Sequence, residues 1–501
     1  MKTLQALFHH GLANAKADQL AVTDALEQYS YSQLAHVRDQ LALQLQQLGV
    51  KPGDRVGLWL DKSSKAVAAM LAVSAVGAAY VPIDPMNPLA RVVTIVNDCD
   101  MQVLITTQQK YQHLSKATQL AVKLVVLDSQ AELDYPSSVL TWQQIAATDA
   151  SAFQEVQYQD EQALAYILYT SGSTGVPKGV CISQQNALAF INWSIETLKP
   201  NHDDRFSNHA PWHFDLSVLD IYVALAVGAS VHLVPEMVSY LPNRLVSFIE
   251  QHAISIWYSV PTALVMMLDN EVDFASRAKS LRTIIFAGEA FEIKALKRLR
   301  QTFPAVALWN FYGPTETNVC TAYQVPAQVP DVLPIGTGAS GAVIRIEDEH
   351  GTPVLPGEQG YIVATGPSVF SQYFGMPARE QAAYNTGDIG YQDETGKLIF
   401  VGRKDHMVKV KGYRIHLAEV ERALYQHPAI KECIVVVGAD KSLHAHLTVT
   451  EPAPTLLNLK MHCSKWLPKY MLPDHVHIAP ALPRNRNGKL SRQALIAQLG
   501  L

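Results

Sequence analysis

Short apolar runs alternate with helical stretches through most of the chain, and this alternation is what most restricts its fold. Helices are predicted over residues 31–49 and 66–76, and buried strands over 54–60, 101–106, 123–127, 163–169, 254–259, 283–287 and 306–310. Strands that alternate with helices form βαβ units, whose strands pair in parallel. The sequence therefore predicts an α/β protein built on largely parallel sheets.

The character of the sequence changes towards the C-terminus. From about Val343, short alternating strands are broken by glycine and proline, which predicts a β-rich subdomain. Helical patterns at 417–425 and 456–466 then flank strand-like runs at 432–437 and 444–450, which predicts a small α+β domain. The 501 residues suffice for about three folding units. We expect a large N-terminal domain over residues 1–404 and a small C-terminal domain over 405–501.

The charge of the chain is distributed unevenly. The net charge is −5, with 40 Lys and Arg against 45 Asp and Glu, which argues against a dedicated nucleic-acid or membrane-surface protein. Residues 406–501 carry 13 basic and 6 acidic side chains, a net charge of +7, which leaves −12 for residues 1–405. The C-terminal segment is thus a basic piece on an acidic body.

The cysteines and the apolar segments indicate a cytoplasmic protein. The 5 cysteines are scattered without a C-x-x-C pair, which is typical of reduced thiols. The apolar stretch at residues 4–8 is too short for a signal peptide. The uncharged run over 66–83 contains Gly77 and Pro82 and is closely bracketed by charges, so we expect a buried helix that leads into a strand.

A glycine-rich loop directly follows the buried strand at 163–169. It reads Tyr-Thr-Ser-Gly-Ser-Thr-Gly-Val-Pro-Lys-Gly over residues 169–179. Its backbone N–H groups, its hydroxyl groups and the Lys178 ammonium favour an anion, so the composition predicts a phosphate-binding loop. The Walker A pattern is absent, since Gly179 follows Lys178 where that pattern has Ser or Thr. The alternative is a plain turn after a strand.

The loop resembles the phosphate-binding loop of the adenylate-forming enzymes, which include acyl-CoA synthetases, luciferases and the adenylation domains of nonribosomal peptide synthetases. Further blocks follow in the order of that family: GAAYVPIDP at 77–85, FDLS at 214–217, NFYGPTET at 310–317, YNTGD at 384–388, GRKD at 402–405, VK at 408–409 with GYR at 412–414, and NGKLS at 487–491. The resemblance implies the adenylate-forming enzyme fold and an AMP-forming ligase that uses ATP and Mg²⁺.

The resemblance also assigns an ATP site. Its residues are Thr170, Ser171, Gly172, Ser173, Thr174, Gly175, Lys178, Asn310, Phe311, Tyr312, Gly313, Asp388, Arg403 and Lys489. Tyr312 offers an aromatic face to adenine, Asp388 a carboxylate to the ribose hydroxyls, and Arg403 a cation to the ribose or a phosphate. Outside this set, Asp388 in Thr-Gly-Asp would be interpreted as a turn residue.

Three residues are assigned to the chemistry. Thr315 offers a hydroxyl to phosphate, and Glu316 a hard oxygen ligand to Mg²⁺. Lys489 is expected to catalyse adenylation, because a point charge near the attacking carboxylate stabilises the negative charge that builds in the transition state. By itself, a lysine in an Asn-Gly-Lys turn would be a solvated surface residue.

Asp215 indicates which carboxylate is activated. It stands in the apolar stretch Phe-Asp-Leu-Ser-Val-Leu, where an unpaired carboxylate is costly, so a cation should pair with it. The α-ammonium of an amino acid or the ring ammonium of an imino acid is such a cation. Relatives that activate fatty or aryl acids have no use for this charge. The alternative is an aspartate that caps a helix beginning near Ser217.

The family's pocket positions fall on Asp215, Leu216, Leu219, Tyr258, Ile285, Ala287, Phe311, Val319, Cys320 and Lys489. They imply a small apolar pocket with a charge at each end. The set resembles that of stand-alone L-prolyl ligases of pyrrole biosynthesis, except at Ile285 and Phe311, where leucines are expected.

Stand-alone D-alanyl ligases share the Phe-Asp-Leu-Ser-Val stretch and are the nearest alternative. The remaining alternative functions are an acyl- or aryl-CoA ligase and a catalytically silent nucleotide-binding protein.

The acceptor of the activated amino acid is expected on another chain. The sequence ends twelve residues after Lys489 without a carrier module. A small acidic carrier protein with a phosphopantetheine arm would be complementary to the basic C-terminal segment. The resemblance places at Asp405 the hinge about which the C-terminal domain swings between two half-reactions. No nucleic-acid or membrane partner is expected.

Eight of the 18 histidines lie at or beyond His406. His444 with His446, and His475 with His477, have the spacing of two that places both side chains on one face of a strand. No acidic or cysteine ligand is paired with them in the sequence, so surface histidines are favoured over a zinc site.

Overall fold

The computed structural model of the protein describes residues 3–16, 18–117, 122–128, 139–157, 160–170, 177–271, 273–403, 407–410, 412–484 and 490–500. Within these ranges, no helix combines the length and apolarity that crossing a bilayer requires. The chain forms two compact units. Unit 1 consists of Met1–Asp84, Asp98–Leu168 and Gly179–Lys404, and unit 2 of Pro85–Asn97, Tyr169–Lys178 and Asp405–Leu501.

A sheet of nine strands carries much of unit 1. Its order is Thr337–Gly338, Thr321–Val325, Ala307–Tyr312, Thr283–Phe286, Ile256–Ser259, Arg205–Asn208, Ser230–Leu233, Leu20–Thr23 and Gln28–Ser30. The strands from Ala307–Tyr312 to Leu20–Thr23 pair in parallel. Ile256–Ser259 and Thr283–Phe286 are buried at every position, as expected for parallel strands covered on both faces. The predicted strands at 254–259, 283–287 and 306–310 are thereby confirmed.

Several of the helices that accompany this sheet begin at identifiable signals. They are Gln184–Leu198, Pro242–Gln251, Pro261–Asn270, Phe274–Arg277 and Ile293–Thr302, with the short segments Leu216–Val218, Leu219–Val223 and Ala224–Ala226. Ser183 caps the first of them through a capping box with Asn186. Proline stands at the first position of the second and third, where its missing N–H costs nothing.

A second, eight-stranded sheet confirms the predicted alternation near the N-terminus. Its order is Gln372–Tyr373, Lys178–Ser183, Leu164–Thr170, Ala79–Pro82, Arg55–Trp59, Val103–Thr106, Lys123–Val126 and Val139–Thr141. Its helical segments are Leu4–Asn14, Tyr31–Gln47, Ser64–Ala75, Gln108–Ala117, Trp142–Ala146 and the 3₁₀ turn Ala150–Ala152. The uncharged run over 66–83 lies in the helix Ser64–Ala75, which is buried at every position but Lys65, and in the buried strand Ala79–Pro82 that follows, as predicted.

The β-rich subdomain predicted from Val343 is a four-stranded antiparallel sheet. Its strands are Val343–Glu347, Gly360–Thr365, Tyr384–Gln392 and Leu398–Arg403. The last two place Asp388 opposite Arg403.

Unit 2 contains a small α+β assembly, as predicted. A three-stranded sheet of Ile430–Val437, Leu443–Val449 and His475–Ile478 accompanies the strand pair Met407–Val410 and Tyr413–His416. Its helices are Leu89–Asp98, Leu417–Tyr425, Leu456–Cys463 and Arg492–Leu499, with the 3₁₀ turn Lys469–Met471. All 5 cysteines of the chain lie in described residues, are buried and form no disulfide.

Candidate active site

Tyr312, Asp388 and Arg403 form one buried hydrogen-bonded group in unit 1. The Tyr312 hydroxyl donates to Asp388 Oδ2 at 2.5 Å. Arg403 donates from Nη1 to Asp388 Oδ1, across a pair of antiparallel strands. The structure thus brings together three residues that the sequence assigns to the ATP site.

Asp388 keeps capacity for a ligand within this group. An ionised carboxylate has about four lone-pair positions. Tyr312 and Arg403 each take one of them. The carboxylate can therefore accept further hydrogen bonds from hydroxyl groups, which fits the nucleotide ribose.

Tyr312 has a second task that the sequence does not predict. Burial, and next the neighbouring Asp388 carboxylate, raise the pKa of Tyr312 well above its usual range, so the phenol stays a donor. Its ring centroid lies 6.2 Å from that of Phe400. Tyr312 therefore orients the carboxylate as well as carrying the aromatic face expected to stack on adenine.

Thr386 supports the same group and was missed by the sequence analysis. Its hydroxyl lies 3.5 Å from the Tyr312 hydroxyl, accepts from the Asp388 backbone N–H at 3.1 Å and donates to the Ile362 carbonyl at 2.9 Å. The signal was available, because Thr386 lies within the block Tyr-Asn-Thr-Gly-Asp.

The turn after the strand Ala307–Tyr312 requires its glycine. A Cβ on Gly313 would lie 1.6 Å from the carbonyl oxygen of Asn318, so no other residue fits this turn. Just before it, the Asn310 amide donates to the Pro334 carbonyl at 2.8 Å. Asn310 thus fixes the end of the strand from which the turn starts.

The same turn carries Thr315 and Glu316. Glu316 is 1% exposed, and its Oε1 accepts a hydrogen bond from the Tyr373 hydroxyl at 2.9 Å. Tyr373 therefore orients this carboxylate, a role that no sequence signal indicates. Carboxylate and hydroxyl oxygens are hard donors of the kind that Mg²⁺ prefers. The donor chemistry of Thr315 and Glu316 thus fits a magnesium ion.

The structure decides between two interpretations of Asp215. Asp215 directly precedes the helical segment Leu216–Val218, but its side chain makes no capping hydrogen bond. The helix-cap interpretation is therefore wrong. The side chain is instead buried, with a residue exposure of 9%. A buried carboxylate at this position would attract a cationic ligand.

Two tyrosines lie close to the charge of Asp215. Burial raises the pKa of Tyr166 and of Tyr258 well above the usual tyrosine range, and the Asp215 charge is the next contribution in both. The buried Tyr258 hydroxyl has no hydrogen-bond partner in the part of the chain that the structure describes. Because such a group is costly to leave unsatisfied, it favours a polar ligand atom in this pocket.

The predicted pocket residues occupy one apolar cluster. Leu219, Tyr258, Ile285, Ala287, Phe311, Val319 and Cys320 are buried in it, and Leu216 packs against it. The Phe311 ring centroid lies 5.2 Å from that of Trp193 and 6.0 Å, edge to face, from that of Tyr258. Trp193, which the sequence analysis missed, thus fixes the ring that departs from the family's leucine.

The helix beside the pocket is irregular. Leu219–Val223 is a π-helical segment between the α-helical turns Leu216–Val218 and Ala224–Ala226. Such insertions are rare and occur frequently at functional sites. The apolar sequence of this stretch contains no signal that distinguishes a π-helix from an α-helix.

Seven predicted site residues lie outside the described residues: Ser171, Gly172, Ser173, Thr174, Gly175, Asp405 and Lys489. The glycine-rich loop is described only at its flanks, where Thr170 ends a strand and Lys178 begins the next. The predicted strand before the loop is confirmed. Thr170 and Lys178 belong to unit 2, whereas the other described site residues belong to unit 1.

Family models match both parts of the chain. The AMP-binding enzyme model matches residues 9–374, and the model of the AMP-binding enzyme C-terminal domain matches residues 419–489. The first match alone covers more than half of the chain.

Curated relatives and a solved structure agree with these matches. An L-proline--[L-prolyl-carrier protein] ligase of Pseudomonas fluorescens is 44% identical over 100% of both chains. A ligase of the same name from Streptomyces coelicolor is 36% identical over 93% of this chain and 91% of its own. The amide bond synthetase McbA of Marinactinospora thermotolerans superposes with a TM-score of 0.87 at 21% identity, over 98% of this chain and 99% of its own, which confirms the predicted fold class. The chain belongs to the AMP-binding enzyme family.

Proposed function

We propose that the protein activates L-proline with ATP and transfers the prolyl group to the phosphopantetheine thiol of a separate carrier protein. The observation that carries this proposal is Asp215, a buried carboxylate at an apolar pocket that does not cap its helix. A substrate ammonium is a cation that its charge would attract. The names of the two relatives at 44% and 36% identity support the ring ammonium of proline as that cation.

The pocket favours a compact apolar substrate. Phe311 takes more room than the leucine expected there, and its ring packs against those of Trp193 and Tyr258. The five-membered ring of proline is compact and apolar apart from its ammonium. D-alanine and other small amino acids are the competing substrates, because an apolar pocket distinguishes one methylene group by only about 1–3 kcal/mol.

In the first half-reaction, a carboxylate oxygen of proline attacks the α-phosphorus of ATP. The bond between the α-phosphorus and the bridging oxygen breaks, and pyrophosphate leaves. Asp388, held by Tyr312 and Arg403, accepts the ribose hydroxyls and fixes the nucleotide for in-line attack. Lys489 places a positive charge where negative charge develops. Glu316 would hold Mg²⁺, which would neutralise charge on the phosphates.

In the second half-reaction, the carrier's thiol attacks the carbonyl carbon of prolyl-adenylate. A thioester forms, AMP leaves and the thiol proton passes to solvent.

We assign the core to residues 1–404 and a mobile lid to 405–501, which turns about Asp405 between the two steps. The net charge of +7 on residues 406–501 suits an acidic carrier. We place the reaction in the cytoplasm, where the buried cysteines stay reduced.

Pyrophosphate exchange with a panel of acids tests this function. L-Proline is expected to give the fastest exchange among the proteinogenic amino acids, D-alanine, a medium-chain fatty acid and benzoate. Mass spectrometry should then show one prolyl group on a phosphopantetheinylated carrier and none on the same carrier without its arm. Faster exchange with D-alanine than with L-proline would identify D-alanine as the substrate. Faster exchange with the fatty or aryl acid than with L-proline would contradict the proposed role of Asp215.

Asp388→Asn is expected to lower kcat/KM for ATP by about 10- to 100-fold, since a hydrogen bond to a charged group contributes about 1.5–3 kcal/mol. The variant should also lose the preference for ATP over 2′,3′-dideoxy-ATP, because the carboxylate is proposed to bind the missing hydroxyls. Tyr312→Phe is the matched control, since it keeps the carboxylate and removes one of its donors. An equal loss with both nucleotides in Asp388→Asn would contradict ribose binding.

A further inference from the structure

Four histidines meet on one face of the small sheet in unit 2. The strands Leu443–Val449 and His475–Ile478 pair in parallel, in a register that places His444 beside His475 and His446 beside His477. The ring centroids of these two pairs are each 4.5 Å apart. The sequence spacing predicted one face for each pair, and the strand register brings the two pairs together.

An acidic ligand joins this cluster from the preceding turn. Asp440 Oδ1 lies 3.7 Å from His444 Nε2. One ligand atom from each of Asp440, His444 and His475 lies within 4.8 Å of the others. The expectation that these histidines have no acidic partner is therefore wrong. Bonds of about 2.0–2.1 Å to a tetrahedral zinc ion place its ligand atoms roughly 3.3 Å apart, so small side-chain rotations complete the geometry.

Gly438 lies close to two of the ligand atoms. A Cβ on Gly438 would lie 2.6 Å from His444 Nε2 and 2.7 Å from Asp440 Oδ1, so a side chain there would displace both atoms. The Ser442 hydroxyl contacts the same two atoms, at 2.5 Å from Asp440 Oδ1 and 2.8 Å from His444 Nε2. The turn thus brings three polar groups together beside a glycine.

His477 supports the orientation of His444. His444 Nδ1 and His477 Nε2 are 3.0 Å apart, a hydrogen bond that holds the His444 ring with its Nε2 towards Asp440 and Ser442. Ligating histidines commonly use their second ring nitrogen in this way, which fixes the tautomer.

We propose that Asp440, His444 and His475 bind a divalent transition-metal ion of the zinc type. Two imidazoles and one carboxylate form a mixed nitrogen and oxygen set that suits Zn²⁺, with water completing the coordination because Asp440 and His475 are exposed. The ion would tie the turn at 438–442 to two strands of the sheet. The site is independent of the proposed prolyl activation and differs in chemistry from the oxygen donors at Glu316.

Calorimetric titration of the full-length, chelator-treated protein with ZnCl₂ tests the site. Binding of one Zn²⁺ per chain and a rise in Tm are expected. His444→Ala and Gly438→Ala should each weaken the affinity at least about tenfold, the first by removing a ligand and the second by displacing the His444 and Asp440 side chains. Gly438 does not have a positive φ, so alanine is compatible with its backbone. Asp440→Asn changes only an exposed side chain. It therefore tests the loss of zinc affinity if His444→Ala or Gly438→Ala fails to fold.

The matched control is the double variant His427→Ala with His462→Ala. These histidines belong to the same unit and their ring centroids are 5.0 Å apart, but among the described residues no third ligand-type side chain joins them in a group. Its zinc affinity should equal that of the unchanged protein. Absence of stoichiometric binding, or equal affinity in Asp440→Asn and the unchanged protein, would overturn the proposal.

Discussion

Asp215→Asn is expected to lower kcat/KM for L-proline by about 10²- to 10³-fold, because removing one partner of a buried ion pair costs about 3–5 kcal/mol. Asparagine has nearly the same shape but no charge, so the ring ammonium would be buried opposite a neutral amide. The neighbours Tyr166 and Tyr258 stay protonated and supply no replacement anion. Steady-state pyrophosphate exchange at saturating ATP measures this loss.

The matched control for Asp215→Asn is a second substrate, cyclopentanecarboxylate. This acid has the ring and carboxylate of proline without the nitrogen, so the unchanged protein should reject it because it offers Asp215 no ammonium. Asparagine removes that penalty. The ratio of kcat/KM for proline to kcat/KM for cyclopentanecarboxylate should then fall by the same factor as kcat/KM for proline. An equal loss with both acids would indicate a damaged pocket, and no loss with proline would remove Asp215 from substrate binding.

The elements that the sequence predicts correctly are those with a strong local pattern. Residues 63–83 contain a helix start at Ser63, a helix that is buried at every position but Lys65, and a buried strand, so no distant contact is needed to recognise them. The π-helical segment Leu219–Val223 has no such local signal. Its residues are apolar at nearly every position and contain the buried Asp220, so periodicity cannot reveal the change of pitch.

The site shows the same distinction between local and distant information. Tyr312, Thr315 and Glu316 are neighbours in one block, and the sequence identifies them together. The bonds that orient them cross long intervals, 76 residues from Tyr312 to Asp388 and 57 residues from Glu316 to Tyr373. Such pairs depend on strand order and register, which a single sequence does not specify.

Lys489→Ala is expected to reduce formation of prolyl-adenylate by about 10²- to 10³-fold, the usual effect of removing one group that stabilises transition-state charge. Transfer from supplied prolyl-adenylate to the carrier should persist, because its new bond forms at the carbonyl carbon and the α-phosphate is already in place. Pyrophosphate exchange measures the first half-reaction, and mass spectrometry of the carrier measures the second. Lys489 lies outside the described residues, so this expectation comes from the chemistry and the family block.

Two variants separate a catalytic Lys489 from a general effect of charge. Lys469→Ala removes the same charge from an exposed position in unit 2, so adenylation should continue and only carrier loading should weaken if basic charge attracts the carrier. Lys489→Arg keeps the charge but replaces a compact ammonium by a planar fork, so partial activity is expected. If Lys489→Ala depresses both half-reactions equally, the residue supports the fold or the docking of the carrier. Loss of adenylation alone assigns Lys489 to the attack on the α-phosphorus.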